Sequence, residues 1–321
     1  MQEQSIYEYF SSVEPKEVEW LWYPYIPYGK LTILQGDPGE GKSTVMLNLI
    51  ATVTNGGLLP DGSIFDKPHP VIYQCTEDNA ADTVKPRLLT AGADCNQTAY
   101  ILDEDEKLTL DDTRIEDTLI RTKARLLVFD PIQSFLPQDS AMQSVGRMRT
   151  ILKKLCAVAE KYHCAVVLIG HMNKGGNNNQ LYRGLGSIDI AAIARSVLMV
   201  IRDRETPELR YLFQIKSSLA PEGRPVSFLL NREQGFVWQE VCDLSVQDVI
   251  QSEPVSENGK RSQAAVLLME MLMQQDMPSA EIFDALQKQG ISRRTVQKAK
   301  KDARIRAYKK NNIWYWSIDR R

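Results

Sequence analysis

A phosphate-binding loop is the chemical feature that the sequence shows most directly. Residues 36–43, GDPGEGKS, fit the pattern G-x-x-x-x-G-K-[ST], and they lie between an apolar run that predicts a strand and a pattern that predicts a helix. Glycines let the loop curl so that its N–H groups point at phosphate oxygens, and the helix start adds the positive end of its dipole. We expect Lys42 to neutralise the β and γ phosphates and the Ser43 hydroxyl to bind Mg²⁺. The predicted ATP-binding residues are Gly36, Gly39, Glu40, Gly41, Lys42, Ser43 and Thr44.

A second metal-binding group is predicted at the end of the apolar run RLLVFD. The run ends in Asp130, which as a strand-end carboxylate would reach Mg²⁺ through water beside the loop. An apolar run that ends in aspartate is common, and a carboxylate in a turn is the alternative interpretation. Together with the phosphate loop, the pattern favours Ser43 and Asp130 as the metal residues.

Hydrolysis needs a group that positions or deprotonates the attacking water. Pro131 follows Asp130, so a glutamate cannot supply this group at that place. Glu77, which ends the apolar run VIYQCTE, is the predicted base if its strand neighbours the strand of the phosphate loop. Asp78 is the alternative. His171 ends the run CAVVLIGH at the expected ligand edge of the sheet, where it could hydrogen-bond the γ-phosphate.

Alternating strands and helices must position these groups. The pattern from residue 29 onwards predicts an α/β, mostly parallel sheet flanked by helices, followed by closely spaced antiparallel strands that extend the sheet. The predicted organisation is a lead-in at 1–28, an ATPase domain at 29–242, a polar linker at 243–260 and a small domain at 261–321.

The small domain has the pattern of a winged helix-turn-helix. Three helices are predicted, followed by a hairpin with Asn-Asn at its turn. Residues 291–310 hold nine Lys or Arg and one acid, so counterion release would favour duplex DNA there. A solvated basic helix, or a winged helix that contacts proteins, is the alternative. The predicted duplex contacts are Arg293, Arg294, Lys298, Lys301, Lys309 and Lys310.

The composition limits the class of protein. The formal net charge is -2, so a nucleic-acid surface must be local rather than global. Five scattered cysteines without a C-x-x-C pair argue against a disulfide framework. The N-terminus has no signal-peptide pattern, and no run reaches the roughly 18 apolar residues of a membrane span. We expect a cytoplasmic protein.

The site residues together resemble the RecA-like core. The combination of Glu77 after the second strand, Asp130 without an adjacent glutamate, and His171 resembles plasmid RepA-type hexameric replicative helicases and related AAA-family ATPases of phages and mobile elements. The resemblance covers roughly residues 18–240. It implies nucleotide bound between subunits of a homo-oligomer, commonly a hexamer. The arginine that completes the neighbouring site would be Arg195, with Arg183, Arg202 and Lys216 as alternatives.

The resemblance also implies a DNA path. Loop 172–185 would face a central channel for single-stranded DNA, with Lys174 and Arg183 as its cations. The expected function is an Mg²⁺-dependent ATPase acting on DNA, as an oligomeric helicase or DNA-dependent motor of phage or mobile-element replication. An ATP-gated DNA-binding regulator or initiator is the alternative, and a RecA-type recombinase is a weaker one.

Overall fold

The chain forms two compact units. The computed structural model describes residues 6–103, 106–136, 145–171, 188–204, 206–231, 233–250 and 257–318. The first unit comprises residues up to Val200 together with Gln214–Gly223, and the second comprises Ile201–Phe213 and Arg224–Arg321.

The first unit alternates strands and helices, as the sequence predicts. Its helices are α1 (Lys42–Asn55), α2 (Lys85–Ala91), α3 (Thr113–Thr122), α4 (Val145–Lys161) and α5 (Ile188–Ile193). Its strands are β1 (Trp20–Trp22), β2 (Ile26–Pro27), β3 (Leu31–Gly36), β4 (Gly57–Leu58), β5 (Ile64–Phe65), β6 (Val71–Cys75), β7 (Thr98–Ala99), β8 (Leu126–Asp130), β9 (Ala165–His171) and β10 (Ser196–Arg202), the last two residues of which belong to the second unit. Two short antiparallel pairs, β1–β2 and β4–β5, lie outside the main sheet.

Six strands of this unit form a parallel sheet. Their order is β10-β3-β9-β8-β6-β7, and every neighbouring pair is parallel. Strand β6 is therefore separated from β3 by two strands, so the expectation that the strand before Glu77 neighbours the phosphate-loop strand is wrong. Sequence periodicity predicts which segments are strands, but it does not give their order across a sheet.

Both faces of the sheet are covered. All residues of β3 and β8 are buried, which fits the continuous apolar runs expected of a parallel sheet with helices on both sides. One face carries a core in which Leu127 and Phe129 of β8 pack with residues of α3 and α4 such as Leu119 and Leu152. Because side chains alternate along a strand, Val128 and Asp130 point to the opposite face.

The second unit contains the antiparallel strands and the C-terminal helices. Its strands are β11 (Leu209–Ser217), which ends in the first unit, β12 (Val226–Asn231), β13 (Gly235–Val241), β14 (Met277–Pro278), β15 (Arg306–Lys310) and β16 (Ile313–Ser317). Its helices are α6 (Val246–Ile250), α7 (Glu257–Gln274), α8 (Ser279–Lys288) and α9 (Arg293–Asp302). Strands β11, β12 and β13 pair antiparallel in sequence order, as predicted.

The predicted three helices and hairpin are present after residue 256. They follow the order α7-β14-α8-α9-β15-β16, and β16 lies between β14 and β15. An apolar cluster that includes Leu268, Phe283, Val296 and Trp316 joins these elements. Asn311 and Asn312 turn the hairpin with φ of 50° and 62°, the left-handed pair that a two-residue type I′ turn requires. The predicted domain boundary at residue 242 lies inside this unit.

Within the described part of the chain, no helix combines the length and the apolar character that crossing a membrane requires. All five cysteines are free. Burial raises the pKa of Cys164 and of Cys242 to about 12, so both thiols remain protonated at neutral pH.

Candidate functional site: a phosphate loop at the edge of the parallel sheet

The predicted phosphate loop joins β3 to α1. Gly39 and Gly41 have φ of 78° and 95°, a region that side chains disfavour, so the loop depends on glycine at both positions. Helix α1 begins after Gly41 with no side-chain hydrogen bond at its cap and no acid in its first turn. The first N–H groups of a helix lack partners within the helix, and together with the positive end of the helix dipole they favour the binding of an anion.

Gly36 and Lys42 fix the shape of the loop. A Cβ added at Gly36 would lie 2.7 Å from the Val200 carbonyl oxygen of the neighbouring strand β10, so only glycine fits. The Lys42 ammonium donates to the carbonyl oxygens of Gly36 and Asp37 at 2.9 and 3.0 Å. Ser43 and Thr44 follow at the start of α1 and are half-buried.

The Lys42 ammonium lies in an acidic environment. Burial lowers its pKa, while the carboxylates of Asp130, Asp37, Glu40 and Glu77, in order of decreasing influence, raise it. Two carboxylates outside the loop, Asp130 at the end of β8 and Glu77 two residues after β6, therefore lie within electrostatic reach of the loop lysine. The structure brings together the predicted P-loop lysine, the predicted metal residue Asp130 and the predicted base Glu77.

Asp130 is held by a tyrosine. It ends β8 and is 6% exposed, and its Oδ2 accepts a hydrogen bond of 2.8 Å from the Tyr73 hydroxyl on the neighbouring strand β6. Burial, and then the Asp130 carboxylate, raise the pKa of the Tyr73 phenol, which stays protonated and donates. Tyr73 was not among the predicted site residues, because an aromatic residue inside an apolar strand has the pattern of a core residue.

The two candidate bases, Glu77 and Asp78, follow β6 and differ in their surroundings. Asp78 forms an ion pair of 2.5 Å with Arg87, whereas the Glu77 carboxylate is exposed. Of the two carboxylates, that of Glu77 is therefore the more accessible to solvent.

His171 ends β9, the strand between β3 and β8. Its Cα lies in register with that of Gly36, the first glycine of the loop. The backbone of the predicted γ-phosphate residue is thus adjacent to the phosphate loop.

Arg195 lies between α5 and β10, and its side chain is exposed. Its backbone N–H donates to the Leu31 carbonyl at 3.0 Å, and its carbonyl accepts from the Ser218 N–H at 3.0 Å. Lys216, an alternative to Arg195, is engaged elsewhere: its ammonium donates to the carbonyls of Ala191, Ala192 and Ala194 at the end of α5. Burial and the nearby Arg195 guanidinium lower the pKa of Lys216.

Two of the residues predicted to contact DNA, Arg294 and Lys298, are buried within the second unit. The side chain of Arg294 is 4% exposed and donates to the fully buried Asp203 at 2.8 Å. Lys298 is also buried, and burial lowers the pKa of its ammonium. It lines a cavity of about 590 Å³ beside Glu240 and Trp238. These positions correct the prediction that both side chains face DNA. The sequence shows that α9 is basic, but not which of its faces is packed.

The remaining cations divide into three groups. Lys301, Lys309 and Lys310 are exposed. Arg293 is half-buried, with its guanidinium 5.3 Å from the centre of the Phe283 ring. Lys174, Arg183 and the rest of loop 172–185 lie outside the described residues.

A family model described as an AAA domain, AAA_25, matches residues 4–177, which is more than half of the chain. The "DNA repair protein RadA" of Streptococcus pyogenes serotype M3 is 28% identical over 150 residues, covering 46% of this chain and 29% of that protein. The protein of the same name from Chlamydia pneumoniae is 28% identical over 151 residues, with the same coverage. The chain therefore spans less than a third of the length of these relatives.

Among solved structures, a KaiC-like protein from Pyrococcus horikoshii OT3 is similar, with a TM-score of 0.48 and 18% sequence identity. The match covers 66% of this chain and 90% of that one.

Proposed function

The chain belongs to the AAA domain family AAA_25, and from this we propose that it is an Mg²⁺-dependent ATPase that acts on DNA. The observation that carries the proposal is the uncapped start of α1 beneath the glycine loop, with Lys42 and Asp130 beside it. Unpartnered helix N–H groups next to a buried ammonium form a site for a polyphosphate. A carboxylate beside that ammonium fits a metal ion bridging protein and phosphates.

The oxygen donors at this site suit Mg²⁺. Ser43 and Asp130 would hold the ion, with phosphate oxygens and water as the other ligands, which is the usual arrangement for this cation. The ion would neutralise charge that develops on the phosphates. Glu77 would orient or deprotonate the attacking water, and His171 would contact the γ-phosphate.

The site would be completed in trans. Arg195 presents an exposed side chain from a backbone held on both sides, whereas Lys216 is occupied at the end of α5. An arginine from a neighbouring copy would stabilise the charge of the transferring phosphoryl group, which can change the rate by orders of magnitude. We therefore propose a homo-oligomer with Arg195 as this arginine. A hexamer is the form that the RepA-type resemblance favours.

DNA is the proposed partner. The relatives described above are named DNA repair proteins. In this chain, the helix–strand–helix–helix–hairpin order after residue 256 supports a winged helix-turn-helix. Its exposed Lys301, Lys309 and Lys310 would contact duplex phosphates. Lys174 and Arg183 would contact single-stranded DNA.

We favour a DNA-dependent motor of the RepA-type helicase group, in phage or mobile-element replication. The alternative is a nucleotide-gated regulator that binds duplex through the hairpin cations. The two differ in whether single-stranded DNA accelerates turnover.

The test is the steady-state ATPase rate of the full chain with and without single-stranded and duplex DNA, together with its mass in solution with ATP. Lys42→Ala should lower the rate by about 10²-fold or more, as for the loss of one group that stabilises transition-state charge. Lys153→Ala, an exposed lysine on α4, is the matched control. Stimulation by single strands with a ring-sized mass supports the motor.

Two other outcomes count against parts of the proposal. Duplex binding without stimulation would favour the regulator. A Lys42→Ala variant with the wild-type rate would refute the phosphate site itself.

A further inference from the structure

Tyr73 and Asp130 form a buried pair across two parallel strands. Cys75 of β6 is in register with Asp130 of β8, and Tyr73 precedes Cys75 by two residues. Residues two apart on a strand share a face, so the Tyr73 ring lies along the same face as Asp130. Its hydroxyl reaches Oδ2 of the carboxylate at 2.8 Å.

The pair is enclosed. Tyr73 is 4% and Asp130 6% exposed, so water has little access to the hydrogen bond between them. A hydroxyl that donates to a carboxylate in such surroundings forms a strong bond, because the acceptor is charged and the local dielectric constant is low. The bond uses Oδ2 and restricts rotation of the carboxylate, which leaves Oδ1 in a defined direction.

We propose that Tyr73 is a positioning residue that fixes the Asp130 carboxylate for the Mg²⁺ that accompanies the nucleotide. The inference rests on the proposed ATPase function and deepens it, because it assigns the group that orients the metal residue. Hydrogen-bond partners of metal ligands typically change metal affinity by 10- to 100-fold when they are removed. Tyr73 itself would not touch the metal or the nucleotide.

The Tyr73→Phe variant isolates this role, because it removes only the hydroxyl. The measurement is binding of a fluorescent non-hydrolysable ATP analogue to the full chain, titrated with Mg²⁺, and repeated in EDTA. We expect the half-saturating Mg²⁺ concentration to rise about tenfold or more. Affinity for the analogue in EDTA should stay within about twofold, because the phosphate loop is intact.

Tyr211→Phe is the matched control. Tyr211 is also a buried tyrosine whose hydroxyl faces a buried aspartate, at 3.5 Å from Asp203, but it belongs to the second unit. Both variants lose one hydroxyl, so thermal melting reports the general cost of that loss. Only Tyr73→Phe should change the Mg²⁺ titration.

A double-mutant cycle with Asp130→Ala tests the route of the effect. If Tyr73 acts through Asp130, Tyr73→Phe should leave the Mg²⁺ titration of an Asp130→Ala chain unchanged. An effect that persists in that background would overturn the proposal.

Two outcomes of the Mg²⁺ titration would also contradict the proposal. One is an unchanged half-saturating Mg²⁺ concentration in Tyr73→Phe, and the other is an equal loss of affinity for the analogue with and without Mg²⁺. Failure of the proposed function looks different, because the wild-type chain itself would then show no Mg²⁺-dependent binding of the analogue.

Discussion

The buried ion pair between Arg294 and Asp203 gives a prediction with a large magnitude. Arg294 donates to Asp203 Oδ1 at 2.8 Å, with side chains 4% and 0% exposed. Asp203 also accepts hydrogen bonds from the Thr206 N–H at 2.8 Å and the Tyr211 hydroxyl at 3.5 Å, but both of these donors are neutral, so removing the arginine takes a charged donor away from a buried carboxylate. Breaking such a pair costs about 3–5 kcal/mol, and Arg294→Met should lower the free energy of unfolding by that amount.

Urea unfolding followed by tryptophan fluorescence measures this loss. Three of the five tryptophans, Trp238, Trp314 and Trp316, belong to the second unit. With a urea slope of about 2 kcal/mol/M, the midpoint should fall by roughly 1.5–2.5 M. Arg293→Ala on the same helix is the control, with an expected cost of about 0.5–1 kcal/mol for its contact with Phe283.

Replacing both partners tests the reasoning further. Arg294→Met with Asp203→Leu should recover most of the stability, because a buried pair exchanged for apolar groups is often neutral or stabilising. A cost below about 1 kcal/mol for Arg294→Met alone would refute the argument, because that is the range of a solvated surface arginine. Arg294 would then return to the set of candidate DNA contacts.

Two further predictions concern the first unit. Gly36→Ala should lower the free energy of unfolding by about 1–3 kcal/mol and weaken nucleotide binding, because the added Cβ would meet the Val200 carbonyl oxygen. Gly146 lies on α4 with open space around it, so Gly146→Ala should instead raise the free energy of unfolding by about 0.5–1 kcal/mol. Thermal melting and nucleotide titration check both, and a Gly36→Ala chain as stable as wild type would contradict the steric argument. Asp112→Ala should remove the cap of α3, at a cost of about 1 kcal/mol at pH 7. The Arg114 hydrogen bond holds the pKa of Asp112 below its usual range, so the cap contributes fully above about pH 4 and is lost as pH falls through the lowered pKa. The difference in melting temperature between wild type and Asp112→Ala should therefore shrink towards acid pH. A difference that grew instead would show that loss of the charged cap is not its cause.

The sequence predicts those parts of the site that depend on neighbouring residues in the chain. The phosphate loop is one such part, since eight consecutive residues carry its glycines, its lysine and its hydroxyl. The strand that ends in Asp130 is another, because a buried parallel strand is a continuous apolar run. The Asn311-Asn312 turn was predicted for the same reason, since its residue types set its backbone conformation.

The rest depends on residues far apart in the chain. Tyr73 and Asp130 are separated by 57 positions, and only the order of the strands brings them together. Likewise, the sequence of α9 predicts a basic surface, but Arg294 is buried in an ion pair with Asp203, which is 91 residues away in the chain. Burial of a charged side chain depends on its partner, and no local pattern identifies that partner.

Lys216 acts as a non-covalent cross-link. By binding three carbonyls at the end of α5, its ammonium joins that helix end to β11 and closes the chain between residues 191 and 216. Arg195 lies within this closed segment, and its backbone is also bonded to Leu31 of β3. The backbone of Arg195 is therefore anchored on both sides, and the freedom of the residue lies in its side-chain torsions. In the proposed oligomer, contact with a phosphate of a neighbouring copy would cost side-chain entropy but little backbone entropy.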